Sequence, residues 1–160
     1  MLISIIFLLA LSDTKPIKAS LGDPIIDLDI QSLGGDKFTL NQIVNNSFCF
    51  FLSVNCPYCV DAIKMIQVHF SDHHCVFLFL DEEKPVQDFI KSFPTISREN
   101  VYIILNSEQL QQYSISTLPA LLAYKESKLK AAAHGDFKDH ICKLLLKSYD
   151  KEPKKGKTQE

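Results

Sequence analysis

Two uninterrupted apolar runs with a helical pattern between them leave this chain few ways to fold. Phe48-Cys49-Phe50-Phe51-Leu52-Ser53-Val54 reads as a buried strand, and Cys75-Val76-Phe77-Leu78-Phe79-Leu80, closed by Asp81, reads as a central parallel strand buried on both faces. From Val60 to Phe70 the apolar residues recur at helical spacing. Strand, helix and strand in this order, followed later in the chain by a hairpin and a last helix, call for a mixed sheet with helices over both of its faces. At the first strand-to-helix junction stand Cys56-Pro57-Tyr58-Cys59.

That position gives the two thiols a chemistry. Cys56 falls at or just before the helix N-terminus, where backbone N–H groups lack partners and the helix dipole is positive, so a thiolate is favoured there. Cys59, one turn later on the same side, is placed to attack a mixed disulfide formed at Cys56. The pair reads as a redox-active dithiol. Two plainer readings stay open. A zinc half-site would need two further ligands, and Asp72-His73-His74-Cys75, the only other cluster, offers adjacent histidines rather than a pair one turn apart. A structural disulfide would close so short a loop that it would restrict the unfolded chain little. Cys49 and Cys75 lie within apolar strands and Cys142 on the last helix, and all three read as packing residues. No cofactor and no metal are implied.

With 160 residues and 46% hydrophobic composition, the chain has apolar material for one core. A net charge of −2 and a single arginine, Arg98, give no basic surface for nucleic acid. Met1 to Leu11 is apolar apart from Ser4, too short to span a bilayer as a helix but of the length of a secretory h-region, with Ala19-Ser20 near a plausible cut. No basic residue precedes the run, and Lys18 stands close to the cut. Residues 1–20 are therefore expected to be a signal peptide or an uncleaved hydrophobic anchor, the one route to a membrane. Residues 21–148 form the domain. Residues 149–160, lysine-rich and without apolar periodicity after Tyr149, are expected to be a disordered tail.

Within the domain, Pro24 to Ile30 alternates as a half-exposed strand does, Gly34-Gly35-Asp36-Lys37 turns, and Phe38 to Leu40 returns. Asn41 to Val44 begins a short helix. Pro85 to Phe93 and Ser107 to Tyr113 read as helices, with Ser107 an N-cap. Val101 to Leu105 is a further strand or a packed connection. Pro119 opens a strand through Tyr124, Lys125-Glu126-Ser127 turns, and Leu129 to Ala133 pairs back. Phe137 to Ser148 reads as a last helix, with Ile141, Leu144 and Leu145 as its apolar stripe.

The order strand, CxxC, helix, strand, helix, then a proline opening a strand-hairpin-helix ending, resembles the thioredoxin fold. The hairpin from Gly22 to Leu40 is similar to the opening of the redoxin, or AhpC/TSA, superfamily. The insertion before Pro119, with Gln112-Tyr113-Ser114-Ile115-Ser116-Thr117-Leu118-Pro119, looks like its exported TlpA/ResA-like branch. The resemblance runs from Gly22 to Leu146. It implies a three-layer α/β fold, mixed sheet with helices on both faces and an added N-terminal β-hairpin. It also implies a cis Leu118–Pro119 bond beside Cys56, against the plainer trans proline at a strand start. By the same likeness, Cys56 and Cys59 form the redox-active disulfide, and Pro57, Tyr58, Leu118 and Pro119 line the substrate. Protein thiols or disulfides and an upstream redox partner would be the partners, in the periplasm or cell envelope, with the chain reducing.

Three departures accompany the likeness. Leu118 stands where relatives often carry Thr or Val. Phe50 stands where thioredoxin has a buried aspartate. Ala62 stands where the branch often has a glutamate, with Asp61 beside it, so Cys59 has no evident base. Two other functions remain. A peroxiredoxin-like thiol peroxidase would use Ser53, three before Cys56, although Cys49 stands where that chemistry has proline and only Arg98 could serve as its arginine. A non-catalytic thioredoxin-fold binding domain would need neither cysteine.

Overall fold

The computed structural model describes residues 20–113, 115 and 117–151. The apolar N-terminal run and the lysine-rich tail beyond Lys151 lie outside the described residues. In chain order the elements are β1 (Asp29–Ser32), β2 (Lys37–Thr39), α1 (Leu40–Ile43), β3 (Ser47–Leu52), α2 (Pro57–His69), β4 (Cys75–Phe79), α3 (Glu83–Ile90), β5 (Val101–Ile104), α4 (Glu108–Gln111), β6 (Ala120–Lys125), β7 (Lys128–His134) and α5 (Asp139–Asp150). A 3₁₀ turn at Arg98–Asn100 leads into β5. The seven strands form one mixed sheet in the order β2-β1-β5-β4-β3-β6-β7. β4 is its centre and pairs parallel with both β3 and β5, while every other neighbour is antiparallel.

The period-2 geometry of strands explains why the two apolar runs are unbroken. In β3, Phe48, Phe50 and Leu52 face one layer and Cys49 and Phe51 the other; in β4, Cys75, Phe77 and Phe79 oppose Val76 and Leu78 in the same way. The first layer is roofed by α2, α3 and α5 through Ile63, Ile66, Val86, Ile90, Ile141 and Leu145. The second is covered by α1 and α4 through Leu40 and Leu110, and by the extended segment that leads into β1. Phe50 anchors the first layer, with ring centroids 5.5 Å from Phe70, 5.9 Å from Phe77 and 6.2 Å from Phe137. Cys49 and Cys75 belong to opposite layers, so the sheet itself stands between their thiols.

The structure redraws several boundaries. Of the alternating stretch from Pro24, only Asp29 to Ser32 joins the ladder, although Ile26, Leu28 and Ile30 all point inward as the alternation predicts. Its earlier N–H groups are satisfied otherwise: Ile26 donates to the Tyr124 hydroxyl (3.3 Å) and Asp27 to the Tyr113 hydroxyl (3.1 Å). Helix α2 begins at Pro57, because proline at the first helical position has a preset φ and no N–H to satisfy. Helix α4 is a single turn from Glu108, and the side chain that caps its start is Asn106, which accepts from the Glu108 N–H at 3.1 Å. In α5, Leu144 is 45% exposed and leaves the stripe, whose buried members are Ile141, Cys142, Leu145 and Tyr149. Tyr149 and Asp150 continue this helix rather than starting the tail, since the Tyr149 ring packs on Phe48 with centroids 4.5 Å apart.

Candidate active site

Parallel pairing brings the C-terminal ends of β3 and β4 to the same edge of the sheet, the edge where α/β proteins bind their ligands. Leu52 stands opposite Phe79, and the Leu80 N–H still donates to the Leu52 carbonyl (3.1 Å). Beyond these residues the chain leaves β3 as Ser53-Val54-Asn55 and enters the dithiol, while β4 ends in Leu80-Asp81. Cys56 is the N-cap of α2, in extended backbone at φ −97° and ψ 111°. Its amide donates to the Ser53 carbonyl (3.3 Å), and its own carbonyl accepts from Cys59 (3.1 Å). It is half-buried, with its sulfur at the positive end of a 13-residue helix. Pro57 and Tyr58 are exposed beside it, Tyr58 to 58%.

Cys59 faces inward and is 0% exposed, in the same layer as Ile63 and Phe50. Both cysteines are thiols here. Burial first, then hydrogen bonding with the Cys56 side chain, pushes the Cys59 thiol up to about 12; the negative charges of Cys56 and Asp81 add to this, and a backbone hydrogen bond from Ser53 opposes it. An accessible sulfur thus stands in front of a protonated, shielded one.

The opposite wall is the turn into β6. Leu118–Pro119 is cis, and the Leu118 carbonyl accepts the Cys56 thiol with the sulfur 3.7 Å away. Leu118 is half-buried and packs against both core layers, and Pro119 is buried. All six residues singled out for the site, Cys56, Pro57, Tyr58, Cys59, Leu118 and Pro119, therefore fall in two adjoining segments at one edge of the sheet.

One residue bordering the dithiol was missed. Asp81 accepts hydrogen bonds from the Val54 N–H (2.9 Å) and the Ser53 hydroxyl (3.1 Å), the two residues that lead into the dithiol. Its signal in the sequence was modest: a carboxylate closing the central strand at the edge where the cysteines emerge. Ser53 is thereby committed, since its hydroxyl also accepts from the Asn55 N–H (3.3 Å). Arg98 precedes β5 and lies at the opposite edge of the sheet from Cys56. Asp61 is 69% exposed, paired loosely with Lys64 at 3.9 Å, so it does not supply a buried base. Among the described residues, no three His, Cys, Asp or Glu side chains gather into a metal-binding group.

No family model matches this sequence, and no curated protein matches it. Solved structures do match in three dimensions. A thiol:disulfide interchange protein DsbE candidate from Chlorobium tepidum aligns with a TM-score of 0.64 at 15% identity, over 81% of this chain and 94% of its own. The thioredoxin domain of a thiol-disulfide oxidoreductase from Bacteroides vulgatus aligns at 0.58 and 17% identity, over 84% of this chain and 98% of its own. A secreted disulfide oxidoreductase from Mycobacterium tuberculosis aligns at 0.56 and 14% identity, over 78% and 95%. The chain has the thioredoxin-like α/β fold, with the N-terminal hairpin added to its sheet.

Proposed function

We propose that this protein is an exported thiol–disulfide oxidoreductase that reduces disulfides in other proteins through Cys56 and Cys59. The observation that carries the reading is the pairing of an accessible sulfur at a helix N-terminus with a shielded thiol directly behind it. The names of the similar structures point the same way, and one of them is described as secreted.

The half-reactions balance as follows. The Cys56 thiolate attacks one sulfur of a substrate disulfide; a Cys56–substrate disulfide forms and the second substrate sulfur leaves as a thiolate that takes up a proton. Cys59 then loses its proton and attacks the Cys56 sulfur. The Cys56–Cys59 disulfide forms, the substrate's remaining sulfur leaves as a thiol, and two electrons have passed to the substrate. An upstream dithiol donor restores the reduced pair by the reverse exchange. The exposed Pro57 and Tyr58 and the half-buried Leu118 form the rim against which an extended substrate segment would lie, and the backbone ahead of Pro119 offers it hydrogen-bonding groups. The reducing direction follows the resemblance to the TlpA/ResA-like branch, for whose members a reducing role is typical.

The peroxidase reading loses support from this geometry. The Ser53 hydroxyl is engaged by Asp81 and Asn55, and Arg98 stands at the far edge of the sheet.

The test is reduction of a protein disulfide by the dithiol, with equilibration of the pair against glutathione. The expected results are turnover abolished by Cys56→Ser, a trapped substrate adduct in Cys59→Ser, and a potential below roughly −200 mV. Full activity in Cys56→Ser would overturn the mechanism, and a potential near the roughly −120 mV of strong oxidants would reverse its direction.

A further inference from the structure

Between the last turns of α2, the start of β4 and the connection from α3 into β5 lies a cavity of about 370 Å³. It is remote from the dithiol. Cys56 caps the first turn of α2, whereas Ile66, Gln67 and Phe70 border the cavity from the other end of the helix, about 15–20 Å along its axis. The floor is apolar, with Ile66, Phe70, Phe77 and Ile96 all buried. Cys75 also borders it, its thiol turned onto the Phe70 carbonyl (3.6 Å). The rim is polar: Ser71, Thr95 and Ser97 are exposed, and the Gln67 amide reaches across from α2 to hydrogen-bond the Thr95 hydroxyl.

Two features of the lining select a ligand. None of the eleven residues around the cavity is Asp, Glu, Lys or Arg, so a charged molecule entering it would give up hydration without gaining an ionic partner. His73, in contrast, lacks a bond. Its ring is packed against Phe48, Phe70 and Tyr149, with centroids 5.1, 6.4 and 6.0 Å away, and its Nδ1 is buried with no hydrogen-bond partner among the described residues. A buried polar atom left unpaired is costly, and a ligand that supplies the missing bond gains affinity by it. We propose that this cavity is a binding site for a neutral single-ring molecule carrying a hydroxyl group, a phenol in the simplest case, held between the apolar floor and His73. An apolar cavity of about 150 Å³ already holds benzene, so about 370 Å³ takes such a ring with short substituents. A phenolic hydroxyl both donates and accepts, and it can pair with Nδ1 in either tautomer of the imidazole. The site shares helix α2 with the dithiol but uses none of its chemistry.

The experiment is fluorine NMR of para-fluorophenol and of fluorobenzene, each titrated with the full-length reduced protein. Both probes should show saturable shifts, and the phenol should bind about three- to tenfold more tightly, the worth of one hydrogen bond. His73→Phe keeps a ring in the wall and removes the nitrogen; it should abolish that preference and leave fluorobenzene binding as it was. Ser97→Trp, at the exposed rim, should close the cavity to both probes. Shifts that stay linear up to the solubility of the probes, or binding that survives Ser97→Trp, would overturn the site. Equal affinities of the two probes for the wild-type protein, or a preference for the phenol that persists in His73→Phe, would overturn the ligand class. Should His73→Phe fail to fold, the wild-type comparison of the two probes decides the same point, and Ser71→Trp, also at the exposed rim, stands in for Ser97→Trp in the same way.

Discussion

Alkylation of the native, reduced protein tests the arrangement of all its thiols at once. Five cysteines are present, but four are buried: Cys49 and Cys59 at 0% exposure, Cys142 at 1% and Cys75 at 8%. Burial pushes Cys59 and Cys75 up to about 12 and Cys142 up to about 11, and it pushes Cys49 above the ordinary thiol range. Reaction with iodoacetamide needs the thiolate, and each unit of upward shift removes a factor of about ten from its population. Relative to an ordinary thiol at 9.0, Cys59 at about 12 therefore has about a thousandfold less thiolate near neutral pH, before its lack of access is counted. At pH 7.5 the intact mass should show a single adduct, and peptide mapping should place it on Cys56. The remaining four cysteines should label only as fast as the protein unfolds, and all five together in denaturant. In Cys56→Ser the fast adduct should vanish. Native labelling of Cys59 within tenfold of the Cys56 rate would refute the picture of a half-buried attacking sulfur backed by a fully shielded one.

The same buried thiols govern stability in alkali. Unfolded cysteines titrate near 9.0, while the folded ones resist ionisation up to about 11 or 12. Their contribution is full below pH 9 and is lost as pH rises through the interval from 9 to about 12, by up to about 1.4 kcal/mol per thiol per pH unit. Urea unfolding measured from pH 7 to pH 11 should show a steep fall above pH 9 that is shallower by one proton in Cys75→Ala; parallel slopes would contradict this. Phe50→Ala removes the ring that meets Phe70, Phe77 and Phe137, and should cost about 3–5 kcal/mol in urea unfolding. A loss under about 1.5 kcal/mol would show that this ring does not anchor the layer.

The core of the fold was legible because its strongest signals are local. Phe48 to Leu52 and Cys75 to Phe79 could be read as doubly buried strands from their unbroken apolar character, and β4 is indeed central. The cysteines could be placed at a helix N-terminus because strand, CxxC and helix follow one another directly. Reading failed where tertiary partners replace local rules. Pro24 to Leu28 alternates like a strand, yet its amides find tyrosine hydroxyls from residues 86 and 98 positions away. Tyr149 looks like the start of a polar tail until Phe48 is seen beneath it. Leu144 fits a helical stripe on spacing alone, but the phase of α5 is set by Cys142 and Tyr149, which turn it outward.

Asp81 shows why the site was less legible than the cysteines. Its hydrogen bonds exist only in one register: Leu52 opposite Phe79, so that Ser53 and Val54 emerge beside the carboxylate. A slip of one residue would turn every β4 side chain to the other face of the sheet and carry Asp81 away from the dithiol. That register is held by Phe77 and Phe79 packing in the layer with Phe50, far along the chain from the bonds it permits. The family likeness directed attention to Phe50 and Ala62, positions where relatives carry an acid and this chain does not. Here the carboxylate approaches from the end of the neighbouring strand, at the rim, while Phe50 fills the core. A buried acid at position 50 would cost roughly several kcal/mol of desolvation among the rings of Phe70, Phe77 and Phe137. Placing the carboxylate at the sheet edge lets the same region keep both a dry core and an acceptor for the backbone that leads into the dithiol.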